Sequence, residues 1–298
     1  MTYKGEKGNL MEKSVQRRIA IVTDSTADIP ASLLQEYDIR VIPQILIMGD
    51  RTWLDGVDID PPAFYELLRS SPDCPSTSQP SIASFQALFA ELAKEAEGIV
   101  AVLISDDLSG TLNSAQAAAA SLPDVPIELV DTRGTSMQLG FMVLAAARAA
   151  AAGGDLKAVA AAARALVGRV QVYFVVDTLE YLHRGGRIGA AAKLLGSALD
   201  LKPVLEIRDG IVKPLARVRT RRKALQKVFE LLDEQLAGRE RIHMAVLHVA
   251  APREAALLQE QLIACFHPVE MIETECGPVV GAHAGPGTVG VVFYAEGS

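Results

Sequence analysis

The sequence is short of cysteine, of positive charge and of long apolar runs, and each shortage excludes a class of function. Its three cysteines, Cys74, Cys265 and Cys276, are odd in number and show no CxxC spacing. A reduced, cytoplasmic chain is the expectation from that pattern. Asp and Glu outnumber Lys and Arg 36 to 29, giving a net charge of −7 at pH 7, whereas general nucleic-acid binders carry a basic face. The densest basic run, Arg217–Lys223, reads as a solvated face or a partner surface. The longest apolar helical stretch, Leu139–Ala152, is interrupted by Arg148 and is too short and too rich in alanine to cross a membrane. Residues 1–18 carry Lys4, Lys7, Lys13, Arg17 and Arg18 with no apolar core, which predicts a flexible extension and not a signal peptide. The sequence has no HExxH, no P-loop and no metal-spaced cluster, so neither a metal nor a cofactor is expected.

What remains is an apolar chain of 298 residues, half of them hydrophobic. That is enough for one large or two medium domains at roughly 100–200 residues each. Arg18–Thr23, Val41–Met48, Ile99–Ile104 and Ile127–Val130 are short, β-branched and apolar on both faces, which predicts strands of a buried parallel sheet. Helical patterns at 30–37, 61–69, 82–97, 111–121 and 135–152 alternate with them, as right-handed βαβ units require. A further helix runs from Asp155 to about Val167, and the domain boundary is placed near Gly168.

Beyond that point the pattern changes. A strand at Val170–Val176 leads to a short helix stopped by Gly185–Gly186 and to a helix near 190–199. Val204–Ile207 and Ile211–Leu215 form a hairpin around Asp209–Gly210, the pair that type I′ turns prefer. A helix at 220–237, strands at 242–249 and 269–274 around a helix at 253–264, and a last strand, Val289–Tyr294, predict a mixed sheet.

Two hydroxyl-rich loops carry the chemistry. PSTSQPS over Pro75–Ser81 and SDDLSGTLNS over Ser105–Ser114 each run straight into a helix. Hydroxyls beside the free N–H groups of a helix start suit a carboxylate or a phosphate. The stretch Gly285–Gly290 matches GxGxxG, but it opens a strand where a nucleotide fingerprint opens a helix. Its glycines read instead as the frame of a loop holding His283 at a cleft; His243, His248 and His267 read as structural. Asp24–Asp28 follows the first strand, where open α/β sheets bind ligands, so Asp24 and Ser25 are assigned to the cleft edge, as is Ser78 of the first hydroxyl loop. The plainer reading of that segment is that Thr26 or Asp28 caps the helix at 30–37. A Ser109–His283–Asp24 triad is the enzymatic alternative, although Ser109 lies in LSGT and not in a GxSxG elbow.

Seven segments occur in one order: IVTDSTADIP at 21–30, STSQPS at 76–81, SGTLNSA at 109–115, VDTRGTSMQLG at 130–140, DTLEYLHRGGRI at 177–188, LKPVLEIRDG at 201–210 and GAHAGPGTVG at 281–290. Together they resemble the DegV family of bacterial fatty-acid-binding proteins. The resemblance implies an α/β protein with a flexible extension at 1–18, an N-terminal three-layer domain with a parallel sheet at 19–168 and a C-terminal α/β domain with a mixed sheet at 169–298. It implies a long-chain fatty acid such as palmitate or oleate between the domains, its carboxylate held by Thr77, Ser109 and His283, with the N–H of Gly110 as an added donor. It further implies a carrier without catalysis, handing the acid to a dihydroxyacetone-kinase-like fatty acid kinase that makes acyl phosphate for phospholipid synthesis. Arg187, Arg217 and Arg219 are then candidates for the kinase-facing surface. The rival class is an enzyme acting on a small anion, either phosphotransferase-like or an esterase using Ser109 and His283. Asp106 and Asp107 depart from the family pattern and weaken the head-group assignment if they point inward; Gln138 and His183 also depart from it.

Overall fold

The computed structural model describes residues 17–196 and 201–297. The extension expected at 1–18 lies outside them up to residue 16, as do positions 197–200 of the helix expected near 190–199. Of that helix, Gly189–Leu194 forms a 3₁₀ turn.

Strand β1 (Arg17–Asp24) leads through helix α1 (Ala31–Glu36) to β2 (Arg40–Ile42). Strands β3 (Ile45–Met48) and β4 (Arg51–Leu54), helix α2 (Pro61–Ser70), strand β5 (Ser76–Ser78) and helix α3 (Ile82–Leu92) follow. Then come β6 (Ala96–Leu103), α4 (Thr111–Ala120), β7 (Ile127–Asp131), α5 (Met137–Ala151) and α6 (Leu156–Arg164). The order β2-β1-β6-β7 makes a four-stranded parallel sheet. Residues Ile99–Leu103 are fully buried, and alternate side chains serve opposite layers. Ile99, Ala101 and Leu103 meet Phe85 and Phe89 of α3 and Ala115 of α4; Val100 and Val102 join the core of Met142 in α5 and Val159 in α6. A parallel sheet buried on both faces needs this cover, and three layers result.

Two expectations fail here for local reasons. The run Val41–Met48 is not one strand: Pro43, which has no N–H to donate, ends β2, and β3 joins a separate antiparallel sheet ordered β4-β3-β5. The helix expected to reach residue 97 stops at Leu92. Lys94 and Glu95 bond back three residues, and Ala96 pairs with Arg17 in the sheet, so strand pairing overrides a stretch with no Gly or Pro to signal a stop.

Gly168, with φ +79°, lies where the chain leaves the first half. Strand β8 (Gln171–Val175), helix α7 (Glu180–Arg184), strands β9 (Val204–Arg208) and β10 (Ile211–Ala216) and helix α8 (Arg221–Leu236) come next. Strand β11 (Ile242–His248), helix α9 (Pro252–Phe266), strand β12 (Glu270–Glu275), helix α10 (Pro278–Ala284) and strand β13 (Val289–Ala295) complete the described chain. These strands form one mixed sheet, ordered β10-β9-β8-β13-β11-β12, with β11 and β12 parallel and the other pairs antiparallel. At the hairpin tip Asp209 and Gly210 have φ of 54° and 83°, as a type I′ turn requires.

Helix α5 joins the two halves. Met137–Leu144 is buried all round, the mark of a helix enclosed by protein. Phe141 meets the ring of Tyr294 edge-on at 5.2 Å, and Gln138 donates to the carbonyl of Val170 at 2.8 Å. The core is continuous from Ile21 and Val102 in the first sheet to Val172, Phe174 and Val292 in the second.

Candidate functional site

Between the two sheets lies a cavity with about 910 Å³ of empty space, open solvent at its mouth included. Both halves of the chain line it. One wall is apolar, with Val172 and Phe174 from β8, Ile207 from β9, Val212 from β10 and Leu247 from β11. Polar groups line it as well, among them Thr77, Ser78, Gln79, Ser109, Arg187 and His283.

Local sequence explains how these groups are presented. Thr77 is in β5, an edge strand of the small antiparallel sheet, where Thr77 pairs with Leu46; the segment was expected to be a loop. Ser109 lies just before α4. His283, also expected in a loop, occupies the last turn of α10, a helix opened by Pro278 and stopped by Gly285 at φ +81°. The Gly277–Pro278 pair was the available signal for that helix. His267, expected to open a strand, is the left-handed C-cap of α9 at φ 46°.

The structure brings Thr77 and His283 together: His283 Nε2 is 2.8 Å from Thr77 Oγ1. Burial, reinforced by the charge of Arg187, pushes the imidazole down to about 4, so the ring is neutral at pH 7. Its Nδ1 is enclosed and has no hydrogen-bond partner among the described residues. A Cβ on Gly185 would come within 2.1 Å of that atom, so only glycine fits against the ring. Arg187 was expected on a partner-facing surface, but it lines the cavity. Its Nε donates to the carbonyl of Leu108 at 3.0 Å and its guanidinium to the carbonyl of Gly185 at 2.7 Å. One cation thus ties the Ser109 loop to the α7 turn.

Gly110 is the N-cap of α4 and packs against Gln79, with space for a Cβ only 3.0 Å from the Gln79 amide. Asp24 and Ser25 stand one layer behind the cavity and line a second hollow together with Asp28 and Asp55; from this segment it is Thr26 that faces the main cavity. Asp24 caps the 3₁₀ turn Ser25–Ala27. Neither Thr26 nor Asp28 caps α1, whose N-cap is Pro30 without a side-chain bond. Instead Asp28, left-handed at φ 50°, accepts from the N–H of Gly277 at the foot of α10. Burial pushes Asp28 and Asp55 each up to about 7. Tyr65 donates to the carbonyl of Cys276 at 2.6 Å in the same layer.

Asp106 and Asp107 are exposed and turned outward: Asp106 accepts from Asn113 at 3.0 Å, and Asp107 pairs with Arg133 at 2.7 Å. Their charge does not oppose an anion at Ser109. Arg217 and Arg219 are exposed beyond β10, whereas Arg221 in the same basic run turns inward to Glu254 at 2.8 Å. The triad is not assembled. Ser109 bonds Thr111, His283 bonds Thr77, and Asp24 bonds Thr26, Gln44 and Ile104. Sequence reasoning missed Gln44, a buried polar residue directly after Pro43 at the break between two sheets, and that position was its signal.

The chain matches the model of the DegV family, described as "Uncharacterised protein, DegV family", over residues 18–296. A DegV domain-containing protein of Streptomyces coelicolor is 40% identical over 289 residues, covering 95% of this chain and all of the relative. A DegV family protein from Thermus thermophilus whose structure is described as binding fatty acid superposes with TM-score 0.88 at 36% identity, over 93% of this chain and 99% of that one. DegV of Bacillus subtilis, described as a fatty acid binding protein, superposes with TM-score 0.87 at 32% identity, over 94% and 100% of the two chains. No helix among the described residues is long and apolar enough to cross a membrane. By sequence and by fold, this chain belongs to the DegV family.

Proposed function

We propose that the chain binds a long-chain fatty acid such as palmitate or oleate, with its carboxylate at Thr77, Ser109, His283 and Arg187 and its tail along the apolar wall. The observation that carries this reading is the cavity itself, lined by apolar side chains of β8–β11 and bordered by Thr77, Ser109, His283 and Arg187. The two DegV structures described as binding fatty acid support it. Residues 19–168 and 169–298 are the two domains between which the acid lies.

Burying a C16 tail at about 0.8 kcal/mol per CH₂ contributes on the order of 12 kcal/mol gross. Hydrogen bonds to a carboxylate add roughly 1.5–3 kcal/mol each. The tail therefore sets affinity and the polar end sets orientation. In this reading the protein is a cytoplasmic carrier without catalysis of its own, with Ser109 bonded to Thr111 and His283 to Thr77 in place of a Ser109–His283–Asp24 triad. It hands the acid to a dihydroxyacetone-kinase-like fatty acid kinase for acyl-phosphate formation and phospholipid synthesis, with the exposed Arg217 and Arg219 on the partner-facing surface.

Native mass spectrometry of freshly purified protein, followed by lipid extraction, tests the binding. A stoichiometric adduct of roughly 250–290 Da, the C16–C18 range implied by the tail burial above, is the expected result. A clean mass that stays unchanged after adding palmitate or oleate would overturn it.

A further inference from the structure

The hydrogen bonds behind Ser109 run in one direction. Asp24 is fully buried. Its Oδ1 accepts from the N–H and the hydroxyl of Thr26 at 3.1 and 2.5 Å and from Gln44 Nε2 at 3.1 Å, while its Oδ2 accepts from the N–H of Ile104 at 2.9 Å. A carboxylate so surrounded by donors fixes which way the Gln44 amide is turned. The same Nε2 lies 2.8 Å from Thr111 Oγ1. An amide nitrogen only donates, so Thr111 is the acceptor in that bond.

Thr111 is itself fully buried, one layer behind the cavity. Its hydroxyl proton needs an acceptor, because an unmade bond at a buried donor is costly. Among the described residues the acceptor within reach is Ser109 Oγ, at 2.8 Å. Thr111 therefore donates to Ser109, and the proton of Ser109, which lines the cavity, is left for whatever occupies it.

We propose that Gln44 is a positioning residue for the head group: anchored on Asp24, it orients the Thr111 hydroxyl so that Ser109 presents its proton to the cavity and favours an anionic acceptor. The inference rests on the fatty-acid reading above and deepens it. Charge-assisted hydrogen bonds are about twice as strong as neutral ones, so the orientation discriminates a carboxylate from the matching ester. Without Gln44, the lone pair of Thr111 that Nε2 fills is open to the proton of Ser109, which then turns inward part of the time.

The test compares wild type, Gln44→Met, Ser109→Ala and Gln44→Met/Thr111→Val. Each is titrated with [1-¹³C]palmitate against methyl palmitate, and the pH midpoint of the bound carboxyl is followed by ¹³C NMR. Gln44→Met, close in shape but unable to donate, is expected to lower the palmitate-over-ester preference roughly tenfold and to raise the carboxyl midpoint. Ser109→Ala should do the same, with a lowered melting temperature because the buried Thr111 proton loses its acceptor. Adding Thr111→Val to Gln44→Met should restore most of the preference, since no inward acceptor remains; a merely structural role for Gln44 predicts a further loss.

Wild-type preference in Gln44→Met, or no recovery in the double variant, overturns the inference while leaving fatty-acid binding intact. Should Gln44→Met fail to fold, Ser109→Ala still decides, because unchanged preference there means that the Ser109 proton never faced the ligand. A wild-type protein that takes up no labelled palmitate overturns the binding reading and this inference together.

Discussion

Arg187 Nε donates to the carbonyl of Leu108 at 3.0 Å, so a guanidinium from the second half of the chain holds the loop that carries Ser109. The same group stands close enough to His283 to help keep that ring neutral. The cation therefore has two tasks, one of charge and one of position. Arg187→Gln removes both and is expected to weaken palmitate binding by roughly ten- to a hundredfold, the loss of one or two hydrogen bonds to a charged group. Arg187→Lys should recover part of it, because a point charge replaces a fork that reaches two carbonyls. Calorimetric titration of the three proteins with palmitate checks the ranking.

Gly185 is predicted to tolerate no side chain. A Cβ there would stand 2.1 Å from His283 Nδ1 and 2.8 Å from Cε1. Gly185→Ala must push the ring off Thr77, at a cost of about 1–3 kcal/mol for overpacking. Urea unfolding should show that loss, and palmitate affinity should fall with it.

His243 makes stability depend on pH. Its ring is stacked on Tyr294 at 4.5 Å and bonds Glu270 at 2.7 Å and Glu296 at 3.0 Å. Burial alone would lower its pKa, but the bonds to the two carboxylates outweigh burial and raise it above the ordinary 6.5. The protonated ring therefore stabilises the fold fully below pH 6.5, and that contribution is lost as pH rises through the raised value. Burial works against Glu270 as well, yet His243 and Arg148 hold it down to about 2. Its contribution is present above the ordinary 4.5 and is lost as pH falls toward 2. Thermal melts should be most stable between these limits, and His243→Gln should flatten the alkaline arm and shrink the acid arm, which Arg148 then supports without it.

Asp28 has the sign opposite to that of Glu270. Burial pushes it from 3.8 up to about 7, so the folded state favours its neutral form. Stability from this group is full below pH 3.8 and declines as pH rises through about 7. Asp28→Asn keeps an acceptor for the N–H of Gly277 and suits the left-handed backbone at φ 50°. It is expected to stabilise the protein at pH 8 by an amount on the order of 1–3 kcal/mol and to change little at pH 4. Equal effects at both pH values would refute the assignment.

The sheets were legible in the sequence because their strands are apolar runs between turn residues, and the Asp209–Gly210 hairpin announced itself. The three-stranded β4-β3-β5 sheet was not, since Ser76–Ser78 is polar, short and at an edge. Of the site, Ser109 and Thr77 were visible as hydroxyl loops. The bond between Thr77 and His283 was not, because 206 positions separate them and no local pattern encodes a distance in space. Gln44 and Arg187 were missed as site residues for the same reason: their roles come from neighbours supplied by other elements.

Strand β13 lies in the middle of its sheet, between β8 and β11, yet it follows every other described strand in the chain. During synthesis, β8–β10 and β11–β12 therefore emerge before the strand that joins them, as two ribbons with open edges. Exposed edges of this kind invite mispairing. The strands that line the cavity are joined into one wall only when β13 slots between them, so under the proposed function ligand capture waits for the closing step of folding.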